Sequence, residues 1–66
     1  MDIKFCNNLK EIRKSNNLTQ KEVAIQLNLV ESCYANWEQG RTEPNISMLR
    51  KLAVILNTSI EELING

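Results

Sequence analysis

Two short stretches of apolar residues in three-and-four spacing, the first closing at Leu27 and the second opening near Glu31, are separated by a very short break. A connection of about four residues is short enough to hold two helices at a steep mutual angle. This constraint covers Thr19 to Gln39, and the rest of the chain has to pack around it.

Local signals place the flanking elements. Phe5, Leu9 and Ile12 fall at i, i+4 and i+7, one face of a helix predicted from about Ile3 to Lys14, and Ser15-Asn16-Asn17 breaks it. Thr19 with Glu22 forms a capping box, in which each side chain satisfies a free amide at the start of a second helix, and Val23, Ala24 and Leu27 form that helix's buried face. Asn28 tolerates the left-handed conformation that ends a helix. Val30, Tyr34 and Trp37 share a face of a third helix from about Glu31 to Gln39, which Gly40 terminates. After the loop Arg41-Thr42-Glu43-Pro44, Asn45 caps a fourth helix with Ile46, Leu49, Leu52, Ala53 and Leu56 on its apolar side, ending near Asn57. Ser59 with Glu62 forms a second capping box, opening a last helix with Ile60, Leu63 and Ile64 inward. Period-two alternation never persists, so the fold class is all-α: a compact bundle of five short helices.

The 66 residues suffice for one domain, expected to cover 1–66. A chain of this length buries only about 60% of its unfolded surface, which makes dimerisation an expectation from the outset. The longest apolar run, Leu52 to Leu56, is too short to cross a bilayer, and Met1-Asp2-Ile3-Lys4 does not begin a signal peptide, so a soluble cytoplasmic protein is expected. Cys6 and Cys33 lack metal-ligand spacing and no histidine accompanies them; they read as reduced thiols acting as small apolar fillers, with no metal and no cofactor. The chain also lacks a glycine-rich phosphate loop, and the pair Glu61-Glu62 is explained by capping, so no enzyme is expected. Formal net charge is zero, but residues 1–21 carry Lys4, Lys10, Arg13, Lys14 and Lys21 against Asp2 and Glu11, leaving that segment at +3 and the remainder at −3. One positive face suits a phosphate partner, and ordinary solvated helix surface explains the same charge equally well.

Leu18-Thr19-Gln20, Ala24, Leu27-Asn28-Leu29, Tyr34, Trp37-Glu38-Gln39-Gly40-Arg41 and Pro44, continued by Ile46-Ser47-Met48-Leu49 and Thr58-Ser59-Ile60-Glu61-Glu62-Leu63, resemble the pattern of the lambda-repressor-like, Cro-type helix-turn-helix family. The resemblance covers about residues 8 to 64 and implies a five-helix DNA-binding domain with its motif at about 19–39. Two positions depart from the pattern: the usual turn glycine is Asn28, and the usual polar cap of the third helix is Val30, so Glu31 or Ser32 would have to supply a capping oxygen.

The resemblance further implies a structural ion pair between Arg13 and Glu38, tying the first helix to the third. Tyr34 and Trp37 could stack on bases, but their spacing with Val30 and Leu27 is what core packing requires, and they are assigned to the core. The remaining positions of the third helix supply candidate base readers: Asn36 can pair with adenine, Glu31 can accept from a cytosine amino group, Ser32 can contact several bases, and Cys33 or Ala35 can touch a thymine methyl. Gln20, Gln39 and Arg41, with Lys21, are placed near phosphates, as are the amides opening the second helix. The expected partner is double-stranded DNA, bound as a short palindromic operator by a homodimer whose contacts come from Ile60, Leu63 and Ile64, joined by Val54 or Ile55. The expected activity is transcriptional regulation, most simply repression. The alternative is a protein-interaction module of the same fold with little DNA binding, which zero net charge and Glu31 permit.

Overall fold

The computed structural model describes residues 2–66, which form five helices and no strand: α1 (Ile3–Ser15), α2 (Gln20–Gln26), α3 (Glu31–Gln39), α4 (Ile46–Ile55) and α5 (Ile60–Asn65). Side-chain oxygens open four of them. Asp2 accepts from the Phe5 amide, Thr19 from Glu22, Asn45 from Met48 and Ser59 from Glu62. At α2 the box is reciprocal, since the Glu22 carboxylate also accepts from the Thr19 amide at 2.8 Å. At α5 only the serine half is made. Helix α3 is the exception: Val30 stands at its N-cap with extended backbone and no side-chain bond, and the Cys33 amide donates to the Val30 carbonyl at 3.1 Å instead. A polar cap there would ordinarily add about 1 kcal/mol.

The first four helices close in one way. Asn17, Asn28, Gly40 and Asn57 take positive φ, and each is followed by a residue whose amide reaches back five positions: Leu18 to Arg13, Leu29 to Ala24, Arg41 to Asn36 and Thr58 to Ala53. The left-handed residue turns the chain sharply while the last free carbonyls stay bonded, which permits connections of only a few residues. Asparagine serves three times where glycine is the easier choice.

One core unites the helices. It takes Phe5, Cys6 and Leu9 from α1, Val23 and Ala24 from α2, Tyr34 and Trp37 from α3, Leu49, Leu52 and Ala53 from α4 and Leu63 from α5, with Leu27 and Leu56 at the turns. Helix α1 packs on α3 and α5, α2 on α3, and α4 on α5. No helix among the described residues is long and apolar enough to cross a membrane.

Three expectations about the core are corrected. Val30 and Ile46, grouped by spacing with buried faces, are 65% and 60% exposed, because each stands at or before the first residue of its helix, where the chain has not yet turned onto the core. Cys33 is exposed, so the role of apolar filler belongs to Cys6 alone. Leu63, expected inward on the last helix and also assigned to a dimer contact, is fully buried within its own chain, so the inward reading holds and the dimer assignment does not, and Ile60 and Ile64 are partly buried beside the core.

Candidate nucleic-acid interface

The Glu38 carboxylate, near the end of α3, is the point where three helices are tied together. Arg13 of α1 donates through Nε to Oε2 at 2.6 Å and through a terminal nitrogen to Oε1 at 3.2 Å. Gln20, the first residue of α2, donates its amide to Oε1 at 2.9 Å, and the Tyr34 hydroxyl, one turn back along α3, donates to Oε2 at 2.5 Å. The other arm of the Arg13 guanidinium donates to the Leu18 carbonyl at 2.9 Å, in the turn between α1 and α2. Both charges are therefore buried, paired and hydrogen-bonded, the condition under which buried ions persist.

Electrostatics follow from this geometry. Burial pushes the Glu38 carboxyl up, but the donors from Arg13, Tyr34 and Gln20 outweigh it and leave its pKa below the ordinary glutamate value. The hydrogen bond to Glu38 raises Arg13 further, against an opposing cost of burial. Burial, reinforced by the neighbouring carboxylate, raises Tyr34 well above the ordinary phenol range, so it stays a neutral donor. Tyr34 also meets Trp37 edge to face, with ring centroids 5.8 Å apart and planes at 71°, a favoured aromatic geometry. With both rings buried, neither is available to stack on a base.

The clamp turns one face of α3 outward. Glu31, Ser32, Cys33 and Gln39 are exposed, and Ala35 and Asn36 are half-buried. Arg41 is exposed just beyond the helix, its amide bonded to the Asn36 carbonyl at 2.9 Å, which fixes the strand of backbone leaving α3. Lys21 is exposed at the start of α2. Gln20 is half-buried and commits one amide hydrogen to Glu38, so it serves the clamp as well as the surface. The Glu22 amide is taken by Thr19 and is not free for a phosphate.

Spacing alone did not reveal the participation of Gln20 and Tyr34. Tyr34 and Glu38 stand at i and i+4 on one helix, so their contact had a local signal. Gln20 lies 18 residues from Glu38, and no local pattern links them.

A helix-turn-helix family model of the Cro/C1 type matches residues 9–63. The chain is 36% identical over 62 residues to the uncharacterized HTH-type transcriptional regulator YqaE of Bacillus subtilis, covering 94% of this chain and 53% of that protein. It is 31% identical over 64 residues to the HTH-type transcriptional activator BcrR of Enterococcus faecalis, covering 97% of this chain and 31% of that protein. The fold matches the crystal structure of the restriction-modification controller protein C.AhdI from Aeromonas hydrophila with a TM-score of 0.86 at 29% identity, covering 94% of each chain. The chain thus spans between about a third and about half of these two curated relatives. With the motif, the five helices and 55 of its residues matched by one family model, this chain belongs to the Cro/C1-type helix-turn-helix family.

Proposed function

We propose that this chain is a sequence-specific double-stranded DNA-binding transcriptional regulator, a repressor that occupies a short palindromic operator with α3 in the major groove. The observation that carries this reading is the Glu38 clamp, which fixes α3 against α1 and α2 through its buried side while Glu31, Ser32 and Cys33 stay exposed and Ala35 and Asn36 half-buried. A groove-reading helix needs this rigidity, because base pairs are distinguished by donor and acceptor positions that a loosely held helix could not match. Asn36 pairs with adenine, Glu31 accepts from a cytosine amino group, Ser32 makes adaptable contacts, and Cys33 or Ala35 meets a thymine methyl. Gln20, Lys21, Gln39 and Arg41 contact phosphates and set the register without reading sequence. Binding is the activity, without a catalytic step.

The operator's symmetry follows from a homodimer, one α3 in each of two half-sites about one helical turn apart. With Leu63 committed to the core, the contact is left to Ile60 and Ile64 on α5, joined by Val54, which is 81% exposed, and Ile55 on α4.

Selection from a random duplex pool followed by anisotropy titration tests the reading. One palindrome is enriched, Asn36→Ala weakens its binding by about 1–3 kcal/mol per half-site, and the log–log salt slope is about −5 for roughly six phosphate contacts per dimer. No enrichment and no binding at low salt would overturn it and direct the search to protein partners.

A further inference from the structure

Val30 has no role in the folded chain that its surroundings explain. It stands at the N-cap of α3 without supplying a capping oxygen, and its side chain is 65% exposed, whereas Tyr34 and Trp37 of the same apolar series are 0% and 7% exposed. Five large apolar side chains are left open among the described residues, and Val30 is the one that adjoins α3. It directly precedes exposed Glu31 and Ser32, and its carbonyl is bonded to the amide of exposed Cys33 at 3.1 Å.

In a groove-bound helix of this kind the N-terminal residues approach the base edges. The apolar group among the major-groove edges of the four base pairs is the C5-methyl of thymine; every other distinguishing feature is a hydrogen-bond donor or acceptor. A valine can make no hydrogen bond, and its branched, rotationally stiff side chain presents a fixed apolar surface. We propose that Val30 is a specificity-determining residue, packing on a thymine C5-methyl and selecting thymine at one position of each half-site. The inference rests on the DNA-reading function above and adds to it a contact of defined chemistry. It also accounts for an apolar residue where a polar cap would make a more stable helix.

The test uses the full chain and the duplex enriched from the random pool, with each half-site thymine replaced in turn by deoxyuridine, which removes only the methyl group. The wild-type chain binds about fourfold more weakly for each such methyl lost, and so about fifteenfold more weakly when both half-sites carry the replacement, the value expected for one buried methyl-sized group per half-site. At the thymine that Val30 reads, Val30→Ala and Val30→Ser bind the thymine and deoxyuridine duplexes equally while any methyl dependence due to Cys33 or Ala35 at another position is kept, and Val30→Ser, which supplies the capping oxygen, also melts at a higher temperature, so its change in binding cannot come from unfolding. Equal wild-type binding to every deoxyuridine duplex, or the same methyl dependence retained in both variants, would overturn the inference while leaving DNA binding intact. Failure of the pool to yield any duplex would overturn the DNA-reading function itself, and this inference with it.

Discussion

Glu38→Ala lowers the unfolding free energy by about 3 kcal/mol, because it strands the Arg13 guanidinium, 8% exposed, without its counter-charge. It also removes the acceptor of Tyr34 and Gln20. A domain of this length has only about 3–10 kcal/mol of stability in total, so the loss removes between about a third and all of it. The corresponding fall in thermal midpoint is about 12–24 °C, read from the single tryptophan, Trp37, whose ring lies against Tyr34. Arg13→Ala has a similar effect by exposing the carboxylate to the same penalty, and the double variant costs less than the two single losses added together. Unchanged midpoints in both single variants would show that the clamp does not hold the fold.

The same carboxylate makes stability depend on pH. Its folded pKa lies below the ordinary glutamate value, so its contribution is present at neutrality and above the unfolded pKa, and is lost as pH falls through the folded value. The urea midpoint therefore declines on acidification in the wild-type chain, more steeply than in Glu38→Gln, which has no proton to take up. Parallel declines would mean that other carboxylates account for the acid sensitivity.

Leu63→Ala produces the second large loss, about 3 kcal/mol, typical of a leucine truncated in a closed core. Leu63 is 0% exposed and joins the single core cluster through α5, the helix that packs on both α1 and α4. Because the cavity forms within one chain, the loss is the same at every protein concentration. The urea midpoint measured across a dilution series checks this. A wild-type midpoint at high dilution, with weakened self-association, would return Leu63 to an intermolecular contact.

The helices and their ends were legible in the residues themselves because the interactions that set them are local. Thr19 caps through Glu22 and Asn45 through Met48, each three positions away, and Gly40 ends α3 by adopting positive φ. Three-and-four spacing identified Leu9, Val23, Tyr34, Trp37, Leu49 and Leu52 as core because successive turns of one helix share a face. Spacing places a residue on a face but carries no information on how far the neighbouring helix extends. Val30 and Ile46, at the mouths of their helices, therefore emerged exposed, while Leu63, on the inward side as the pattern indicates, is buried too fully to serve the dimer contact also assigned to it. The Arg13–Glu38 pair was accessible through family resemblance, whereas the donation from Gln20 required the packing of α1, α2 and α3 against one another. A contact between residues 18 apart in the chain forms only when separate helices converge, so local geometry cannot encode it; the clamp that orients α3 is a product of assembly.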